Sequence, residues 1–123
     1  MPLTLLDSVT QVAAAHAGHV VITGSHGGAS VVPYARAVPA LLYVFNDAGI
    51  GKDRAGIAAL DLLQADGIGA CAVAHTSARI GEALDAWSHG VISAVNAPAA
   101  ALGLRVGDRL NAAAGPLAAR STA

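Results

Sequence analysis

Cysteine, aromatic residues and charge are all scarce in this chain. It has one cysteine and 3% aromatic residues, and its seven basic and eight acidic residues give a net charge of −1. A single cysteine, Cys71, excludes an intrachain disulfide and a zinc site made of several thiolates. Its apolar neighbours over residues 68–73 predict a buried structural thiol. Scattered basic residues and few aromatic rings argue against a nucleic-acid surface, so we expect no nucleic-acid partner.

Long apolar runs are missing as well. No uncharged stretch approaches the roughly 20 residues that cross a bilayer. Asp7 and Gln11 interrupt the beginning of the chain, which lacks the basic start and long apolar block of a signal peptide. We therefore expect a cytoplasmic protein with no membrane partner.

Small apolar residues are abundant. Hydrophobic residues make up 54% of the 123 residues and charged residues 12%. This length and composition suit one domain, residues 1–123, with one core. So little charge on a chain of this size indicates surface hidden against other copies, and we expect a homo-oligomer.

Apolar runs alternate with helical patterns along the chain, which predicts a parallel sheet joined by helical crossovers. The predicted fold class is α/β, a small three-layer domain with a short, mostly parallel sheet and helices on both faces. The apolar runs predict strands at residues 19–23, 41–45 and 68–74. The helical patterns predict helices at residues 4–17, 29–37 and 53–64.

The pattern is weaker after Gly81. Residues 82–87 fit a short helix or a loop. Apolar spacing favours a helix over residues 91–102, with a short strand at 91–93 as the alternative. Residues 104–110 are expected to form a turn, and the low-complexity segment 112–123 is expected to be a frayed tail.

Polar residues follow each predicted strand, where parallel sheets bind ligands. We expect a small-molecule ligand there, a small anion such as a carboxylate or phosphate compound. Three glycines, Gly27, Gly28 and Gly49, would supply backbone N–H donors, and Arg79 would supply charge. The predicted ligand-binding residues are Ser25, Gly27, Gly28, Asn46, Gly49, Arg54, Ser77 and Arg79.

Two histidines and an aspartate stand at these strand ends. If catalysis occurs, His26 is the expected general base, oriented by Asp47. The alternative is a divalent-metal site formed by His26, Asp47 and His75. The sequence does not separate these alternatives, does not decide whether the protein is an enzyme, and names no cofactor.

The turn His26-Gly27-Gly28 resembles the oxyanion loop of lipases and esterases of the α/β-hydrolase fold. That resemblance covers three residues. The Gly-x-Ser-x-Gly elbow of that fold is missing from this chain, which is also too short for it, so a flexible ligand-binding turn is favoured.

The segment Gly51-Lys52-Asp53-Arg54-Ala55-Gly56 resembles part of the phosphate-binding loop of protein tyrosine phosphatases. Ala48 stands where that family has its nucleophilic cysteine, and Asp47 stands where it has a histidine. Without the thiolate, phosphatase activity is not expected. An anion bound near residues 49–54 remains an expectation, because Lys52, Arg54 and a predicted helix start are all favourable to it.

Three short segments, Gly-Ser-His-Gly-Gly (24–28), Asn-Asp-Ala-Gly (46–49) and Ser-Ala-Arg-Ile-Gly (77–81), are similar to those of a family of small uncharacterised bacterial proteins. The similarity extends over roughly residues 18–110 and implies no activity. The sequence thus favours a soluble protein that binds a small anionic metabolite. The alternative is a non-catalytic assembly or regulatory subunit.

Overall fold

A computed structural model describes residues 2–119, which form a five-stranded sheet between two layers of helices. The strands stand in chain order, β1 to β5; the first four are parallel and β5 is antiparallel to β4. Their bounds are β1 Leu3–Leu6, β2 Val20–His26, β3 Leu42–Asn46, β4 Gly69–Val73 and β5 Ile92–Val95. The predicted α/β class, with a mostly parallel sheet and helices on both faces, is confirmed.

Within residues 2–119, five α-helices connect or follow these strands. They are α1 Val32–Ala37, α2 Ala58–Ala65, α3 Ala83–His89, α4 Ala97–Ala101 and α5 Leu110–Ala119. Short 3₁₀ helices add Val9–Gln11, Ala14–His16 and Ala29–Val31, and an irregular helical segment spans Lys52–Ile57. Among the described residues, no helix has the length and apolar character that crossing a membrane requires.

The two faces of the sheet are covered by different parts of the chain. All connections between β1 and β4 pack on one face of the sheet. Each connection is a crossover to the neighbouring strand, and crossovers of the same hand in the same direction lie on the same face. The segment after β4 covers the other face through α3, α4 and α5. Strand side chains alternate between the two cores: Val20, Ile22 and Val44 face the second layer, and Val21, Tyr43 and Phe45 face the first.

The predicted helix over residues 4–17 is wrong. Residues 3–6 form β1, with Leu3 opposite Val20, and two 3₁₀ turns follow it. The reason lies far along the chain: the Asp7 carbonyl accepts from Gly24 N–H at 3.2 Å, and the Asp7 carboxylate accepts from Ala83 N–H at 3.0 Å. These long-range bonds hold the segment extended in spite of its helical spacing.

The predicted helix over residues 91–102 is also wrong, and the alternative strand is nearer to the structure. Residues 92–95 form β5, and α4 begins after Asn96, whose side chain accepts from Ala99 N–H at 3.1 Å. Pro98 therefore lies in the first turn of a helix, where it is tolerated, and not in a helix interior.

Two further boundaries differ. Helix α2 begins at Ala58 and not at Asp53, because Asp53 and Arg54 adopt left-handed backbone angles. Residues 112–119, predicted to fray, belong to α5, whose Leu110, Ala114 and Leu117 are buried. Residues 120–123 of the predicted tail lie outside the described residues.

Candidate functional site

The carboxyl edge of the sheet brings three polar side chains together around the end of β3. His26 ends β2 and is in register with Asn46, Asp47 follows β3, and His75 lies two residues after β4. Strand β5 runs the other way and therefore begins at this edge, which places Ser93 beside them. The topology thus places these polar residues at the edge of the sheet where the sequence predicted them.

Asp47 connects several groups at this edge through its carboxylate. Only 4% of its surface is exposed. Its Oδ1 accepts from the backbone N–H groups of Gly49 at 2.8 Å and His75 at 2.9 Å, and faces His75 Nδ1 at 3.3 Å. Its Oδ2 accepts from Ser93 Oγ at 2.7 Å. The carboxylate is thus turned inward and satisfied by groups of the protein.

These bonds keep Asp47 ionised. Burial raises the pKa of the carboxyl, but the hydrogen bonds from Ser93, Gly49 and His75 outweigh it and hold the pKa below its ordinary value. Within residues 2–119, no buried side-chain nitrogen or oxygen lacks a hydrogen-bond partner. A ligand would therefore meet the exposed groups around Asp47.

A β-bulge aims Ser93 at this carboxylate. Val73 pairs with Ile92 and Ala72 with Ala94, so β5 has one extra residue at this point. Bulges commonly redirect a side chain beside a functional site. Here the extra residue is Ser93, and its hydroxyl reaches across β4 to Asp47.

His75 presents one face of its ring to solvent. Its side chain is 55% exposed although Nδ1 faces the buried Asp47. Because an ionised carboxylate only accepts hydrogen bonds, Nδ1 must carry the proton in the neutral ring. Nε2 is then an unprotonated acceptor. Gly49 lies against the ring, where an added Cβ would be 3.6 Å from Cε1.

His26 lies on the other side of β3 and has a different partner. Its Nδ1 accepts from the backbone N–H of Gly28 at 2.9 Å, and its side chain is exposed. The predicted pairing of His26 with Asp47 is not formed, because Asp47 bonds to His75 and Ser93. The imidazole that Asp47 faces is that of His75, at 3.3 Å.

The loop between β3 and α2 has unusual backbone geometry. Ala48, Ile50, Asp53 and Arg54 all have positive φ, between 50° and 65°. Such conformations cost non-glycine residues roughly 1–3 kcal/mol each and cluster at functional sites. The loop is held by Ile50 N–H to the Asp47 carbonyl at 2.6 Å and Gly56 N–H to the Ile50 carbonyl at 2.7 Å.

Several predicted ligand-binding residues have structural partners. Ser25 Oγ accepts from Val9 N–H at 2.9 Å. Gly27 N–H donates to the Asn46 carbonyl, and the Gly27 carbonyl accepts from Ala59 N–H. The buried Asn46 side chain bonds to Ala48 N–H and the Ala78 carbonyl. Ser77 Oγ donates to the Ala74 carbonyl at 2.7 Å and accepts from Val91 N–H at 2.9 Å. These polar groups already have hydrogen-bond partners within the protein and define the shape of this edge.

The predicted cations are at the surface. The side chain of Arg79 is 81% exposed and lies 4.0 Å from Glu82, a surface ion pair on the α3 side. Lys52 and Arg54 are exposed in the loop after β3. Both belong to the loop that follows Asp47. The helix start expected among them lies later, at Ala58, whose neighbour Ala59 donates to the Gly27 carbonyl at 2.8 Å.

The metal alternative finds no support in the geometry. Across residues 2–119, no group of three His, Cys, Asp or Glu side chains is placed to hold a metal ion. Cys71 is fully buried in β4, and burial raises the pKa of its thiol to about 12, so it is a structural thiol.

His75 and Ser93 are the two site residues that the predicted ligand-binding set omits. His75 directly follows the strand predicted at residues 68–74, and the sequence proposed it only as a metal ligand. Ser93 was considered for the same edge but not placed there, since the bulge that aims it depends on the pairing of β4 with β5.

Comparison with known proteins finds no relative of this chain. No family model, no curated protein and no solved structure matches the chain. The site must therefore be interpreted from its own groups: a buried carboxylate, two exposed imidazoles and a strained loop between them.

Proposed function

We propose that this protein binds a small anionic metabolite, a carboxylate or phosphate compound, at the carboxyl edge of its sheet. The observation that carries the proposal is the Asp47–His75 pair: a 4%-exposed carboxylate that holds a 55%-exposed imidazole at 3.3 Å. A buried charge with four donors is expensive to build, and such groups concentrate at functional sites.

The charges around the pair favour an anion over a cation. Asp47 turns both oxygens toward protein donors, so its charge is compensated within the fold. The exposed polar residues on the loops at this edge include His26, His75, Lys52, Arg54 and Asp53. Lys52 and Arg54 outnumber Asp53 among the exposed residues of the loop after β3, so the exposed part of that loop carries a net positive charge that favours an anion.

If the protein is an enzyme, His75 takes the role that the sequence had assigned to His26. Asp47 orients the His75 ring through Nδ1, which leaves Nε2 free to accept a proton from a bound ligand. The Ser93 hydroxyl donates to Asp47 and not to a histidine, so the three residues do not form a nucleophilic triad.

Thermal unfolding in phosphate and in chloride at matched ionic strength tests the proposal. We expect phosphate to raise the melting temperature more than chloride, and we expect Arg54→Ala and His75→Ala to reduce that difference. Phosphate also stabilises proteins generally by exclusion from their surface, so the comparison between variants decides the outcome.

Two matched controls remove the same groups elsewhere. Arg36 is in the last turn of α1, at the opposite edge of the sheet, where it pairs with Asp66 at 2.6 Å. His89 is an exposed histidine that faces Asp85 at 3.0 Å on α3. Arg36→Ala and His89→Ala should retain the full phosphate effect. An equal phosphate effect in all four variants would reject the site.

The second candidate function, a homo-oligomeric assembly subunit, is favoured by the β1 edge. The carbonyl of Pro2 accepts from Val20 N–H, and in a parallel ladder only alternate residues bond to the neighbour. The backbone groups of Leu3 and Leu5 therefore face away from β2. Strand β1 has no charged residue that would discourage pairing with another strand.

A further inference from the structure

We propose that two copies of this chain pair through their β1 strands, antiparallel and across a two-fold axis, so that their two sheets become one continuous sheet. The inference rests on the assembly function proposed above and specifies its interface. The axis passes between the two Thr4 residues, and Leu3 of each copy lies opposite Leu5 of the other.

Two residues of β1 carry the unpaired backbone groups. Strand β1 is an edge of the sheet and pairs with β2 alone. The Pro2 carbonyl accepts from Val20 N–H at 2.9 Å, which sets the alternation of the ladder. The backbone groups of Leu3 and Leu5 therefore point away from β2. Among residues 2–119, nothing is hydrogen-bonded to the N–H or C=O group of either leucine.

The opposite edge of the sheet is protected by the chain itself. Ile92 N–H in β5 donates to the Asp108 carbonyl at 2.9 Å, and the Ile92 carbonyl accepts from Gly107 N–H at 2.8 Å. Folded proteins commonly cover or charge an edge strand that must not pair with another chain. The described part of the chain gives β1 neither protection, since the strand reads Leu-Thr-Leu-Leu.

A two-fold axis makes the β1 edge complementary to itself. Two copies related by such an axis present the same strand in opposite directions, so the pairing is antiparallel. With the axis at Thr4, Leu3 of one copy and Leu5 of the other exchange both of their backbone hydrogen bonds. Every outward group of the two leucines then has a partner. An axis at Leu3 or at Leu5 would pair that residue with its own copy and leave the other leucine without its match.

The side chains on both faces of β1 fit this arrangement. Leu3 and Leu5 are half-buried against the core of the second layer, so pairing brings the leucines of both copies together and removes more of their surface from water. Thr4 lies on the other face, where its Oγ1 is 2.8 Å from His19 Nδ1. The two Thr4 residues then form a pair without backbone hydrogen bonds, at a Cα distance of about 4.5 Å.

Thr4→Cys tests this register directly. A disulfide requires a Cα distance of about 4.4–6.8 Å, which the pairing supplies. The native Cys71 is fully buried in β4 and gives no background. With a mild oxidant, we expect a cross-linked dimer on a non-reducing gel, formed roughly tenfold faster than in Thr76→Cys, because only the first places the thiols at bonding distance. Thr76 is exposed at the carboxyl edge of the sheet.

A charge at the same position tests the contact without a covalent bond. Thr4→Lys and Thr4→Glu each place like charges opposite each other. Each should lower the mass measured by light scattering from about twice the 12.1 kDa of one chain to that of one chain. An equimolar mixture of the two variants should restore the dimer, because unlike charges then meet, and a misfolded variant would not give this rescue. Thr76→Lys should stay dimeric.

The outcomes separate this inference from the assembly function. The β1 interface is overturned if Thr4→Cys cross-links no faster than Thr76→Cys, if the charged Thr4 variants stay dimeric, or if their mixture stays monomeric. A wild-type dimer would leave self-association standing in each of these cases. A monomer mass for the wild type overturns both the interface and the assembly function, and it leaves the anion site unaffected.

Discussion

At the residue scale, Asp47 determines how the site depends on pH. Its folded-state pKa is below the ordinary value of 3.8 because hydrogen bonds from Ser93, Gly49 and His75 outweigh the effect of burial. A carboxyl with a depressed folded pKa contributes stability that is present above its unfolded pKa and is lost as the pH falls through its folded pKa. The contribution of Asp47 is therefore complete at neutral pH and disappears in acid.

Asp47→Asn is expected to destabilise the protein at pH 7 by about 1–3 kcal/mol. The reason is that the NH₂ group of the amide would face N–H and O–H groups that also donate. Between about pH 5 and pH 3, the free energy of unfolding should fall less steeply in this variant than in the wild type. Urea denaturation at several pH values measures both effects. Asp61→Asn, which alters an exposed carboxylate, is the control, and equal slopes for Asp47→Asn and the wild type would contradict the assignment.

Gly56 lets the loop close against β3. An added Cβ would overlap the carbonyl oxygen of Asp47 and come within 3.0 Å of that of Ile50. Gly56→Ala should cost more than about 2 kcal/mol, since rigid backbone must move. Gly115→Ala in α5 meets nothing within 4 Å and should be neutral or stabilise by up to about 1 kcal/mol. Chemical denaturation of both variants checks the contrast, and a neutral Gly56→Ala would disprove the close approach.

At the scale of elements, the loop from Asp47 to Gly56 stores backbone strain. Ala48 is exposed and has φ of 50°. Ala48→Gly should relieve about 1–2 kcal/mol of left-handed strain, and this exceeds the roughly 0.4–1 kcal/mol that a more flexible unfolded chain costs. The expected result is a net stabilisation, measured as a higher melting temperature.

The opposite sign is expected in a regular helix. Ala100 is exposed in α4, and Ala100→Gly should lose about 1 kcal/mol. If Ala48→Gly destabilises as much as Ala100→Gly does, the left-handed geometry of residue 48 is not what limits the loop.

Sequence patterns correctly predicted the strands whose residues are buried on both faces of the sheet. The runs around Val20, Val44 and Ala72 are buried on both faces and were predicted as strands. β1 was missed because its bonds to β2 and the contact of Asp7 with Ala83 involve residues up to 76 positions away. β5 was predicted only as the alternative, a short strand at residues 91–93, since a bulge breaks its alternation at Ser93.

The candidate site was predicted in location and less well in detail. A rule about parallel sheets placed His26, Asp47 and His75 at one edge. It could not decide which histidine Asp47 holds, because that depends on the path of the loop after β3 and on the position of Ser93. Asn46 and Ser77 were expected to face a ligand, but their polar atoms satisfy nearby backbone groups.

At the scale of the whole molecule, self-association remains a prediction. Charge is 12% of the chain, and large apolar side chains such as Ile80, Leu84 and Val106 are more than half exposed. We expect light scattering at working concentration to give a mass above the 12.1 kDa of one chain. A monomer mass would contradict the prediction and weaken the assembly function without affecting the ligand site.

The division of the sheet between two cores also bears on how the protein is synthesised. When the first 73 residues have left the ribosome, four strands and one helical layer can form, but the face carrying Val20, Ile22, Leu42, Val44, Cys71 and Val73 still lacks its cover. That cover ends with Leu117, more than 40 residues later. A nascent chain must therefore keep a broad apolar surface from aggregating until α5 emerges. Premature termination before α5 is expected to yield insoluble fragments and not a smaller folded domain.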